Sequence, residues 1–155
     1  MLKNIFVLVL LPVLMVGCAT VPTYTGAIVE KAKSFQSPTN GNAGLYVYRD
    51  SMIGQALKKD VWVDGECLGE TAPNTFFYTE ITGNKNHRIS TESEFGNNHL
   101  DLYTNANQNY FVKQSIKMGV FSGGAKLKVV PSDEAMQDIS KLKMIQTGNC
   151  SKAFK

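Results

Sequence analysis

From Gly44 onward, apolar and polar positions fall into short runs separated by turn residues. Leu45-Tyr46-Val47-Tyr48 is β-branched and aromatic and is closed by Arg49-Asp50, the pattern of a strand. Asp60-Val61-Trp62-Val63 is followed by Asp64-Gly65 and then by Glu66-Cys67-Leu68-Gly69. Asp-Gly between two such runs predicts a hairpin, because both central residues of a type I′ turn need positive φ, which Asp and Gly tolerate. The run Thr75 to Ile81 leads into Gly83-Asn84-Lys85-Asn86, and the chain returns through His87 to Glu92. His99 to Thr104 and Asn109 to Lys117 predict another hairpin, turning at Asn105-Ala106-Asn107-Gln108. Lys126 to Val130 is a last strand, stopped by Pro131. These runs predict a mainly β protein, an antiparallel β-sandwich of about 7–8 strands, with a barrel as the alternative closure.

Two segments carry helical spacing instead. Ile28, Ala32 and Phe35 fall on one face of a short helix predicted over Ala27 to Gln36. After Pro131, Ser132 is placed to cap a helix from Asp133 to about Leu142. Asp133 and Glu134 suit its positive end, and Met136, Ile139 and Leu142 would dock on the sheet. The predicted organisation is a leader over 1–17, a tether with a short helix over 18–43, one sandwich domain over 44–146 and a polar tail over 147–155.

The leader has its own pattern. Lys3, the apolar stretch Ile5 to Val16, Gly17 and Cys18 give a basic region, an apolar region and a small-residue cleavage context. A transmembrane helix needs roughly 20 apolar residues, and this stretch is shorter and contains Pro12. A plain secretory signal would leave Cys18 as an odd thiol at the cut site. Leu14-Met15-Val16-Gly17-Cys18 resembles a bacterial lipobox, with Met15 where that motif prefers Leu. The resemblance implies cleavage before Cys18, diacylglycerol on its thiol, and acylation of the freed amine. Ala19 in place of Asp after the cysteine resembles the sorting signal for the outer membrane, with the domain facing the periplasm. The expected membrane partner is therefore reached through acyl chains, each buried methylene adding ~0.8 kcal/mol.

Charge and cysteine content narrow the classes. The chain has 16 Lys and Arg against 13 Asp and Glu. Loss of Lys3 with the leader lowers the formal charge from +3 to +2. So near-neutral a balance does not suggest a nucleic-acid partner. The paired lysines, Lys58-Lys59 among them, read as solvated surface or as a weak attraction to anionic envelope polymers. The 138 residues left after the leader suit one domain. Cys67 and Cys150 are an even pair in an exported chain and point to a disulfide; two unpaired thiols are the alternative. A bridge closing a loop of this length is worth up to ~4–5 kcal/mol in the chain-entropy model. No C-x-x-C occurs, and no His or Cys spacing predicts a metal site or other cofactor.

Val61-Trp62-Val63-Asp64-Gly65, with Gly69, Thr71, Pro73, Gly83 and His87, resembles the PEGA-type β-domains of bacterial envelope proteins. Ala72-Pro73 departs from the Thr-Pro of that pattern. With Leu45-Tyr46-Val47-Tyr48-Arg49 and Asn109-Tyr110-Phe111-Val112, the chain resembles a family of small bacterial lipoproteins of unknown function over residues 27 to 146. The resemblance implies a β-sandwich and an envelope location, and no activity.

Candidate chemistry is sparse. His87 and His99 are the two histidines, and acid–base work would require one of them beside a nucleophile or substrate. Glu92 and Glu94 share a face if both lie on one strand, a spacing compatible with a glycosidase pair and equally with solvated strand charges. No G-x-S-x-G elbow surrounds a serine. Gly119 to Lys126 is glycine-rich but lacks the Gly-Lys-Ser/Thr of a phosphate loop. Its Phe121 is a candidate contact residue. Phe76 and Tyr78 share one strand face and Phe77 takes the other, so one side is core and the opposite side is either a covered face or an aromatic platform. Trp62, flanked by Val61 and Val63, is a candidate recognition anchor where it points outward. The expected function is a non-enzymatic, membrane-anchored interaction module for an envelope protein, peptidoglycan or glycan. A structural or stress-related lipoprotein and a cell-wall hydrolase are the alternatives.

Overall fold

The computed structural model describes residues 17–119 and 123–154. Its elements are α1 (Ala27–Lys33), β1 (Asn42–Arg49), β2 (Lys59–Val63), β3 (Glu66–Thr71), β4 (Thr75–Thr82), β5 (Lys85–Ser93), β6 (Gly96–Thr104), β7 (Asn109–Lys117), β8 (Gly124–Val129), α2 (Ser132–Ile139) and β9 (Lys143–Met144). A five-stranded sheet runs β8-β7-β1-β4-β9, and a four-stranded sheet runs β3-β2-β5-β6. The protein is thus mainly β, with two short helices, as the strand pattern predicts. The antiparallel expectation holds for the smaller sheet and needs correction in the larger one. There β1 pairs parallel with β7, and β4 pairs parallel with β9. Parallel partners need a crossover, and here the chain passes through the smaller sheet between β4 and β7 and through α2 before β9.

Burial on both faces explains why the β1 run reads as unbroken apolar sequence. Leu45 and Val47 face the second sheet and meet Val61, Leu68 and Ile89, with Phe77 and Val112 beside them. Tyr46 and Tyr48 face the other way with Phe76 and Phe111, and there Ala32 of α1 and Ala135 and Ile139 of α2 cover them. The result is three layers: helices, larger sheet, smaller sheet. Each large side chain so buried contributes ~1.5–3 kcal/mol. The Tyr46 hydroxyl donates to the Ala32 carbonyl at 2.8 Å and fixes α1 on the sheet. Burial, helped by nearby Tyr78, pushes the Tyr46 pKa up.

The helices are shorter than their spacing predicts. α1 stops before Gln36 because Phe35 takes a left-handed φ of 52°. α2 begins at Ser132, with Pro131 rather than Ser132 at the cap position, and Leu142 closes a following turn onto the Ile139 carbonyl. At the β2–β3 hairpin, Asp64 and Gly65 have φ of 53° and 86°, the geometry expected of the Asp-Gly pair. A bulge between Val61 and Trp62 shifts the β2–β3 register. It brings Gly69, at φ 143°, so close to Phe77 that a Cβ would lie 2.8 Å from the ring.

The segment 18–43 is no free tether. Ala19 N–H donates to Gln55 O at 2.8 Å, and Tyr24 N–H to Met144 O at 2.8 Å. Thr23 bridges Ile145, and Val21 packs against the inter-sheet core. The polar tail is also tied down: Gly148 N–H donates to Leu68 O, and Cys67 is bonded to Cys150.

Candidate functional site

The outward face of the smaller sheet carries Trp62, Glu92 and His99 among the side chains that the sequence singles out. Strand alternation turns Val61 and Ile89 inward, so Asp60, Trp62, Ser90 and Glu92 turn outward. The C-terminal segment crosses this face. Asp60, fully buried, accepts the Ser151 N–H at 3.0 Å, the Ser151 hydroxyl at 3.0 Å and the Lys152 N–H at 2.8 Å. Phe154 meets Trp62 edge-on, with ring centroids 5.7 Å apart, and lies 6.3 Å from the His99 ring. Trp62 therefore points away from the inter-sheet core yet is only 2% exposed. An anchor needs a free ring face, and the tail occupies that face, so Trp62 is packing for the tail rather than a recognition residue. Phe121 lies outside the described residues.

Of the other candidates, Glu92 and Glu94 line one depression of about 200 Å³ with Trp62 and Lys152, and the rest separate. His87 is buried, with Nδ1 2.7 Å from Asp64 Oδ2 and Nε2 2.8 Å from the Thr82 carbonyl. Each ring nitrogen faces an acceptor, so the ring fastens the β2–β3 hairpin to the start of β5. His99 Nδ1 lies 2.8 Å from Ser90 Oγ. That pair has the composition of a nucleophile and base, but Ser90 is fully buried in mid-strand, where a substrate carbonyl has no access to Oγ. Glu92 is buried between Lys59 Nζ at 3.5 Å and Lys152 Nζ at 3.4 Å. Glu94 has left β5 for the turn to β6, so the shared strand face expected of the two carboxylates ends before it. Phe76 and Phe77 are fully buried on opposite sides of the larger sheet, and Tyr78 is half-buried on the Phe76 side beside the helices. The aromatic platform is thus a covered face. Among the described residues, no group of three His, Cys, Asp or Glu side chains is arranged to hold a metal ion.

A wider depression, of about 710 Å³, lies at the hairpin end of this face. Asp64, Asn86, Arg88, Asp101 and Phe154 line it, with His87 alongside. Arg88 and Asp101 are direct cross-strand partners. Arg88 Nε donates to Asp101 Oδ1 at 2.7 Å and Nη2 to Oδ2 at 3.0 Å, a two-pronged pair. That bonding raises the Arg88 pKa and lowers the Asp101 pKa. Partial burial alone would raise Asp64, but the Arg88 N–H, the His87 ring and the Lys85 charge outweigh it and hold the carboxyl below its ordinary value. A guanidinium, two carboxylates, an amide and a ring edge in one open depression suit hydrogen bonding to a polar chain. Sequence reading missed Arg88 and Asp101 because their pairing depends on the β5–β6 register. It missed Phe154 because the tail is polar around it.

The fold and this face together define a disulfide-bridged β-sandwich with an open polar depression. The chain belongs to the family described as a protein of unknown function (DUF2846), whose model matches residues 39–125. It is also 50% identical over 131 residues to an uncharacterized protein of Haemophilus influenzae, an alignment covering 84% of this chain and 77% of that protein. No solved structure matches the chain significantly. Among the described residues, no helix is long and apolar enough to cross a membrane.

Proposed function

We propose that this protein is a lipid-anchored component of the bacterial outer membrane whose PEGA-like sandwich serves as a non-enzymatic binding module facing the periplasm. One observation carries the reading. The lipobox-like segment ends at Cys18, which is exposed, and the folded domain starts at the very next residue, with Ala19 held on Gln55. A thiol so placed is accessible to an acylating enzyme while the domain keeps its packing. The Cys67–Cys150 bridge suits an oxidising compartment. The depression beside Arg88 and Asp101 is where a peptide or glycan chain would bind, and burial of Ser90 weighs against a hydrolase.

The test is the mass of the N-terminal fragment of protein purified from cell envelopes. Removal of residues 1–17 with diacylglycerol and an acyl chain on Cys18 is the expected result, and Cys18→Ser should leave the membrane fraction. An unmodified Cys18 would sink the reading. A photo-reactive side chain at Asn86 then reports the partner in cells. Capture there that is lost with Arg88→Ala supports the depression as the binding face, and equal capture from a site on β8 argues against it.

A further inference from the structure

We infer that the end of the sandwich beside Cys18 is a lipid-contacting surface that seats the domain flush on the bilayer. The inference rests on acylation of Cys18 and adds an orientation to it. Four connections meet at this end: the β1–β2 loop, the β3–β4 loop, the β5–β6 turn and the described ends of the β7–β8 link, Met118 and Gly123. Their closeness follows from the packing of glycines. A Cβ on Gly54 would lie 2.9 Å from Ile116, one on Gly123 would lie 2.6 Å from Leu57, and one on Gly124 would lie 3.0 Å from the Ser93 hydroxyl. Cys18 joins the same end, its sulfur 3.9 Å from Gln55 Oε1.

Large apolar side chains are exposed here, beside Lys58, Asn74 and Lys117. Eight large apolar residues are exposed among the described residues, and four of them, Met52, Ile53, Phe95 and Met118, sit on three of these connections. Phe95 and Met118 are the most exposed of all, at 83% and 89%. The far end is also made of turns, yet it is built from Gly41, Gly83-Asn84 and Asn105 to Gln108, which bond one another: Gly83 N–H donates to Gly41 O at 2.9 Å, and Ala106 N–H to Asn84 Oδ1 at 3.1 Å. Turn exposure alone therefore does not account for the difference between the two ends. Isolated apolar tips are ordinary, but four gathered on one end call for a partner.

The anchor identifies that partner. A residue spans at most ~3.6 Å of chain, so with Ala19 already fixed no slack separates Cys18 from the domain. Acyl chains leaving Cys18 draw this end to the headgroup layer, where Phe, Ile and Met side chains are buried to a depth of ~5–10 Å. Exposed Lys117 adds a cation for anionic headgroups, with Glu94 the acidic neighbour in the β5–β6 turn. The depression at Asn86 and Arg88, near the far end, then faces away from the membrane.

The experiment uses the mature protein with its one free thiol, Cys18, coupled to a maleimide phospholipid and inserted into phosphatidylethanolamine–phosphatidylglycerol vesicles. Because the lipid is attached chemically, the result does not depend on whether cells acylate Cys18, which the fragment mass decides separately. Amide exchange is compared with protein capped at Cys18 by N-ethylmaleimide and kept in solution. The expected result is exchange about tenfold slower in 50–58, 93–96 and 117–118, with 83–86 and 105–108 unchanged. Phe95→Glu with Met118→Glu should abolish that slowing and leave thermal unfolding as it was. No slowing at these connections, or equal slowing at both ends, would overturn the inference. So would slowing that appears in the capped protein at high concentration, which would make the surface a contact between copies.

Discussion

Asp60 and Ser151 are joined twice, through the Ser151 backbone N–H and through its hydroxyl, each at 3.0 Å from the Asp60 carboxylate. A third bond, from the Lys152 N–H, completes the latch. It holds the C-terminal segment over Trp62. Asp60→Ala leaves these donors unmatched and should cost ~1–3 kcal/mol. Trp62 emission should shift to the red, and protease should cut the tail faster. Asp60→Asn keeps one acceptor oxygen and should fall between. Unchanged emission in Asp60→Ala would mean that Phe154 covers Trp62 without the latch.

The disulfide holds the same segment by a different route. Cys67→Ser with Cys150→Ser should lower stability by ~2–5 kcal/mol in denaturant titration. The Asp60 latch and the bridge share one tail, so their losses should not add. A triple variant matching the sum of the two would show that they act independently.

Arg49 presents a different case, a fully buried guanidinium that serves a loop. It donates to the carbonyls of Leu57, Ile53 and Gly54 at 2.8, 3.0 and 2.8 Å. Burial lowers its pKa to about 10, still charged at neutral pH. Arg49→Met should cost ~1.5–3 kcal/mol and speed amide exchange across residues 52–57. Arg49→Lys keeps the charge but lacks the fork, and should restore only part of the protection. If Met protects the loop as well as Arg does, the three carbonyl bonds are not what orders it.

The legible parts of the fold were those whose cause is local. The Asp64-Gly65 turn was readable because positive φ at both positions is a property of the two residue types. The strand runs were readable because burial on one or both faces writes itself into the sequence at a period of two or as a solid apolar run. The β9 pairing was not, because two residues carry no period, and its parallel bond to β4 depends on where α2 sets the chain down. The covered state of Trp62 was not legible either. Its neighbour Phe154 belongs to the tail that Cys67 and Asp60 bind, a placement no local pattern records. The depression escaped for a related reason: Arg88 and Asp101 are ordinary surface charges until the β5–β6 register sets them opposite one another.

Gly69 is a local constraint with a distant cause. Its φ of 143° is permissive for glycine, and the Phe77 ring fills the space a Cβ would need. Gly69→Ala should cost ~1–3 kcal/mol, since the ring is packed between the sheets and cannot move freely. Adding Phe77→Leu should recover part of the loss if the clash dominates. No recovery would assign the cost to the backbone conformation.

The Asp64–His87 contact predicts a pH dependence whose sign follows from the carboxylate. Asp64 titrates below its ordinary value because the bonds it accepts from Arg88 and His87, with the charge of Lys85, outweigh the effect of partial burial. A folded pKa below the unfolded value of ~3.9 means stability that is present above that value and is lost as pH falls through the folded one. Asp64→Asn should therefore be less stable than the natural chain by ~0.5–1.5 kcal/mol at pH 6, allowing for the exposure of the turn. The gap should close in acid, once the natural carboxyl is protonated too. Urea midpoints measured from pH 6 down to pH 2.5 check both halves of the prediction. A gap that stays constant to the acid limit would mean that the amide disturbs the turn itself, and that the carboxylate charge contributes nothing to the hold on His87.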